Sequence, residues 1–164
     1  GTYWVTKNSP VKSKLVSMIA SSKKYAVGHK IRHAIYNHFM NCIDTFGTIT
    51  GNRIVDKDLG LDDYRFSFAV ENCIQDGYFS EKLLDCFATK TIPIYWGTRS
   101  VGEFFNTDGI IFIDDFKSIE SVINFLSEDV YNIKLKAIEE NFNKVDDYHI
   151  PEIYIENNYK HLLL

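Results

Sequence analysis

Short apolar runs and amphipathic runs alternate along the chain. Residues 14–21, KLVSMIAS, read as a strand running into a polar turn. Residues 28–41, GHKIRHAIYNHFMN, predict a helix, with Ile31, Ile35 and Phe39 on one face at a spacing of four. Residues 64–71, YRFSFAVE, predict an aromatic-rich strand. The next helix starts after Ser80, a good N-cap, and Leu83, Leu84 and Phe87 form its buried stripe. Residues 91–96, TIPIYW, predict a strand, in which Pro93 points to an edge or an early strand position. A short strand at 109–114, an amphipathic helix at 118–128 and a helix at 129–144 follow, and a last helix is expected after Pro151.

Most of these strand runs are continuously apolar and lack strict alternation. Alternating with helices, they predict an α/β domain with a Rossmann-like parallel sheet covered by helices on both faces. Ligands of such sheets bind at the carboxyl ends of the strands, at the point where strand order reverses. Glu71 and Asn72 end one predicted strand, and Glu81 and Lys82 open the helix after it. Both pairs therefore point to that crevice, where water or ligand limits the cost of placing polar groups.

Composition narrows the function. The 164 residues suit one domain, expected to span 1–164, and 45% hydrophobic content supplies its core. A net charge of -4 provides no global basic field for nucleic acid or anionic lipid. Three cysteines without a CxxC pair argue against a disulfide framework and a zinc knuckle, and predict reduced, half-buried thiols. No stretch has the length of a membrane span, and the first residues lack the layout of a secretory signal, so the expected location is cytoplasmic.

Lys82 opposes the dipole of its own helix. An anion between the ammonium and the free backbone N–H groups would explain it, and phosphate is the obvious choice. On position alone, a solvated lysine is the simpler reading, because the penalty is only about 0.3–1 kcal/mol. Arg32 follows a glycine-containing, lysine-rich turn and suits bidentate phosphate binding. Neither a GxGxxG nor a GxxxxGK[ST] motif is present. Glu81 and Glu71 are candidates for holding a ribose diol or steadying an oxocarbenium-like centre. His29 and His33 have metal-ligand spacing but no evident third ligand, and read as a polar helix face.

The stretch from Phe68 to Asp115 resembles the donor-binding half of the α-1,3/1,4-fucosyltransferases, glycosyltransferase family 10. FAVEN, GYFSEKLLDCF, TIPIYWGT and FIDDFKSIESVINFL stand in the family's order. Upstream, IRHAIYNHF resembles its arginine-bearing helix and CIDTFGTITGN its Asp-x-x-Gly segment. The resemblance implies the C-terminal half of a GT-B glycosyltransferase that binds GDP-fucose or a related GDP-sugar. It implies inverting transfer to a glycan without an obligatory metal or other cofactor. Arg32 and Lys82 would contact the diphosphate, and Glu81 the ribose or fucosyl unit. Asn72 and Tyr78 would shape the donor pocket, with Glu71 as a neighbouring polar wall.

The family's general base lies in an N-terminal, acceptor-binding half. Only about 13 residues precede the first strand here, against roughly 100 for such a half, so that half is expected to be absent from this chain. Its uncovered cleft face would be an apolar patch able to pair two copies. Two positions depart from the family's pattern: the turn before Arg32 is lysine-rich where asparagine is common, and Thr48 stands where many members carry a basic residue. The alternative reading is a non-catalytic nucleotide- or partner-binding module of the same fold.

Overall fold

A computed structural model describes residues 2–149 and residue 156. Five parallel strands form one sheet: β1 Lys14–Ile19, β2 Asp44–Phe46, β3 Tyr64–Val70, β4 Ile92–Trp96 and β5 Ile111–Phe112. The helices are α1 Val27–Phe39, α2 Glu81–Ala88, α3 Lys117–Phe125 and α4 Glu128–Lys144. The helix expected after Pro151 falls outside the described residues, Glu156 apart.

Strand order is β2-β1-β3-β4-β5. The chain leaves β1 towards one edge, makes β2, then returns past β1 to make β3. The reversal lies between β1 and β3, and a crevice must open there at the carboxyl ends of the strands. β3 is buried at every position from Phe66 to Val70. Side chains alternate between faces along a strand, so this continuous burial means that both faces of the sheet are covered. Leu83, Leu84 and Phe87 of α2 are fully enclosed in the core, as their spacing predicts.

Three local expectations change. β4 has β3 on one side and β5 on the other, so Pro93 is not on an edge strand. It is the second residue of β4, and β5 begins to pair only at Ile94, so its missing N–H costs no ladder bond on that side. Of the three free cysteines, Cys42 and Cys73 are exposed and Cys86 is buried, so none is half-buried. The buried stripe of α1 contains Gly28, Arg32, Ile35 and Phe39, whereas Ile31 is only partly covered. Arg32 therefore faces inward, towards the crevice end of β3.

Candidate functional site: a cationic crevice at the reversal point

α1 starts hard against the end of β3. A Cβ on Gly28 would stand 1.6 Å from the Glu71 carbonyl oxygen, so only glycine fits. The Gly28 N–H donates to the Asn72 carbonyl at 3.1 Å. One turn on, Arg32 donates from Nη2 to Asn72 Oδ1 at 2.5 Å and from Nε to the Gly28 carbonyl at 3.1 Å. The β1–α1 and β3–α2 connections are thus clamped together across the reversal point. Burial lowers the Arg32 pKa, partly opposed by Glu71, Glu81 and Tyr78; a guanidinium starting so high stays charged at neutral pH.

The start of α2 is a second cluster. Ser80 is the N-cap, as expected, its Oγ accepting from the Lys82 N–H. Glu71 is fully enclosed and accepts from the Ser80 N–H at 2.9 Å and the Ser80 Oγ–H at 2.7 Å. Lys82 curls back over this cap. Its Nζ donates to Ser80 Oγ at 2.9 Å and lies 3.2 Å from Glu81 Oε1 and 3.7 Å from Glu71 Oε2. Glu81 feels opposing influences: burial pushes its carboxyl up, while Lys82, Lys57 and hydrogen bonding bring it, on balance, below its ordinary value. It is a carboxylate at neutral pH.

These elements enclose a cavity of about 420 Å³, within the usual range for small-molecule sites. Arg32, Asn72, Glu81 and Lys82 line it. Among the described residues, Lys23, Arg53 and Lys57 bring the cations on its wall to five, against the carboxylates Glu81 and Asp85. A surplus of three positive charges in a chain of net charge -4 is a local field built for an anion. Lys57 is partly neutralised by Asp85 at 2.6 Å, and Asp85 also accepts from the Trp4 N–H.

Two expected site residues lie elsewhere. Glu71 is behind the wall of the cavity, committed to Ser80, and is not a polar wall of the pocket. Tyr78 is half-buried outside the cavity lining, and burial and the nearby acids raise its hydroxyl pKa. Sequence reasoning passed over Arg53 and Lys57, on the loop and at the start of a short 3-10 turn between β2 and β3, where no periodic signal marks them, and read His29 as a polar helix face. Thr48, at the position where the family is often basic, accepts from the Ser22 N–H at 2.9 Å and ties the loops after β1 and β2 together. Among the described residues, no group of three or more His, Cys, Asp or Glu side chains is arranged to hold a metal ion. No helix among them is long and apolar enough to cross a membrane.

Comparisons with known proteins bear on the family and the fold. The family description "Glycosyltransferase family 10 (fucosyltransferase) C-term" matches residues 9–157. The chain is 30% identical over 129 residues to the alpha-(1,3)-fucosyltransferase FucT of Helicobacter pylori, covering 73% of this chain and 25% of that protein. A crystal structure of an alpha1,3-fucosyltransferase superposes with a TM-score of 0.62 at 25% identity, covering 92% of this chain and 48% of the other. An alpha1,3-fucosyltransferase structure with GDP-fucose shares the fold, with a TM-score of 0.64 at 23% identity over 89% of this chain and 48% of the other. The chain spans about a quarter of the bacterial relative and about half of the solved structures. By family match, identity and fold together, this chain belongs to glycosyltransferase family 10, the fucosyltransferases.

Proposed function

We propose that this chain is the donor-binding domain of a fucosyltransferase and that its cavity takes GDP-fucose or a closely related GDP-sugar. The observation that carries the reading is the cationic crevice at the β1/β3 reversal point, where Arg32 and Lys82 from separate helices line one cavity. A diphosphate between them would be held by a planar guanidinium and an ammonium, the pairing that suits phosphate oxygens. Asn72 Oδ1 is committed to Arg32, which leaves the Asn72 amide N–H groups for a ligand. A structural neighbour bound to GDP-fucose supports the choice of nucleotide sugar.

In inverting transfer, an acceptor hydroxyl attacks the anomeric carbon from the face opposite GDP. The acceptor's proton passes to a general base, and the bond to the diphosphate breaks with its electron pair leaving on GDP. Glu81, ionised at the cavity wall, would steady positive charge growing on the sugar. The crevice cations would offset charge growing on the leaving diphosphate, so no metal is required by this scheme. The base and acceptor site are proposed to come from a further half, as the greater length of the relatives allows.

Calorimetric titration with GDP, using ADP and UDP as controls, tests the reading. Selective GDP binding is expected. Arg32→Ala and Lys82→Ala are each expected to weaken it by about tenfold to a hundredfold, the worth of a hydrogen bond to a charged group. Unchanged affinity in both variants would overturn the site assignment. Binding of GDP without fucosyl transfer, even with an acceptor half supplied, would favour the non-catalytic module.

A further inference from the structure

Among the described residues, His29 is the one histidine on the cavity wall. It is buried, with 4% of its surface exposed, in the first turn of α1. It lies three residues before Arg32, hence on the same helix face. Its Nδ1 accepts the backbone N–H of Ala26, the residue capping α1, at 3.0 Å. A nitrogen that accepts carries no proton, so the proton of the neutral ring is on Nε2. Among the described residues no hydrogen bond from Nε2–H is formed, and this nitrogen keeps some accessible surface, unlike the fully buried, unpartnered Nε2 of His33. Tyr25 stacks edge-on against the ring at 4.7 Å and fixes its plane.

A second proton on this ring would displace the Ala26 hydrogen bond and place a cation at the positive end of a helix dipole. Burial, and then Arg32, Lys23, Lys82 and His33, hold its pKa below the ordinary value. The ring is therefore a neutral donor among cations. It is oriented by a backbone hydrogen bond, and its Nε2–H is uncommitted.

We propose that His29 is a nucleotide-binding residue whose Nε2–H donates to a diphosphate oxygen held between Arg32 and Lys82. This rests on the donor-domain reading above and adds a contact to it. A neutral donor contributes direction where ammonium groups contribute charge, and fixes the diphosphate without adding to the repulsion among the cations.

The test uses the 164-residue chain with 15N-labelled histidine. At pH 7.5 the His29 ring is expected as the Nε2–H tautomer, and its Nε2–H resonance to move on addition of GDP. His29→Asn keeps an acceptor for the Ala26 N–H but has no donor at the Nε2 position. It is expected to fold normally and to lose about tenfold in GDP affinity. His29→Gln, which can both accept and donate, is expected to recover most of that loss. An Nδ1–H tautomer or a cationic ring would overturn the proposal. So would GDP binding that leaves the His29 signal unmoved, a result that leaves the nucleotide reading standing. If GDP does not bind but inorganic pyrophosphate moves the signal, the nucleotide reading fails and the anion contact survives. If neither binds, both fail.

Discussion

A lysine in the first turn of a helix works against the backbone dipole, and Lys82 shows how the cost is met. Its ammonium turns back over Ser80 towards Glu71 and Glu81, so local carboxylates do what a phosphate was expected to do alone. A diphosphate entering the cavity would share the ammonium with them, and ligand affinity is set by that competition. Gly28 works at the same scale with the opposite requirement, the absence of a side chain. Gly28→Ala forces the start of α1 away from the Glu71 carbonyl. It is expected to cost at least about 3 kcal/mol of stability, since backbone rather than a flexible side chain must give way. A denaturant midpoint equal to wild type would contradict the packing described. Both effects turn on single contacts, and only one of them was legible beforehand. The conflict between Lys82 and its helix is visible in the sequence. The clash at Gly28 depends on a strand 43 positions away in the chain.

At the scale of elements, the site is made of two helix starts and the strand ends they press against. Ser80 joins them: it caps α2, donates to the buried Glu71 and receives Lys82. Ser80→Ala removes the cap, worth about 1 kcal/mol, and leaves a Glu71 oxygen without its hydroxyl donor, worth about 1–3 kcal/mol more. A fall in melting temperature of roughly 4–16 °C is expected for a chain of this size. Thermal unfolding followed by circular dichroism would measure it, and a shift under 2 °C would count against the Glu71–Ser80–Lys82 chain of bonds. The strands and helices themselves followed from periodicity with small boundary changes, because each presents a long apolar run. β2 was missed as a strand: three residues, none fully buried, carry no periodic signal. Its place at the edge is what puts the reversal point between β1 and β3.

At the scale of the molecule, cations concentrate around the cavity. GDP affinity is therefore expected to fall as salt is raised, by screening of the exposed members Lys23 and Arg53. Titrations at 0.05 and 0.5 M salt would show it, and a flat response would mean that the surplus charge does not reach the ligand. Near the amino ends, Lys12 is buried with its Nζ on the Leu61 carbonyl and Thr91 Oγ1 at 3.0 and 2.9 Å. Burial pulls its pKa down to about 8, although Asp62, Cys86 and Asp63 oppose the shift. Below pH 8 both folded and unfolded chains hold the proton and this contribution is flat. Between about 8 and 10.5 the unfolded chain binds more protons, so the Lys12 contribution to stability rises with pH, by up to about 3 kcal/mol. Burial raises the Cys86 pKa and acts in the opposite direction over part of that range. The comparison is therefore wild type against Lys12→Met at pH 7 and 10 by denaturant titration. Wild type should gain on the variant at the higher pH, and an unchanged difference would refute the shift. Around the crevice, Tyr25, Val27, Val55 and Leu59 leave large apolar surfaces exposed. Self-association of the isolated chain is expected from them, and light scattering across a concentration series would detect it.

The sequence by itself determined the class of fold, because continuous apolar strands alternating with amphipathic helices have few other ways to bury their faces. It also determined the helix starts that hold Arg32, Glu81 and Lys82, because capping and dipole rules act over a few residues. What it could not determine was everything set by pairing between distant segments. Strand order decided where the crevice opens. The close approach of α1 to β3 turned Arg32 inward to meet Asn72. Enclosure by Ser80 took Glu71 out of the pocket, and the loop after β2 brought Arg53 and Lys57 into it. The orientation of His29 is of the same kind. Its spacing alone suggests a solvated face, and only the folded helix start, with Nδ1 occupied by its own backbone, leaves Nε2 as the one N–H of a ring that lines the cavity.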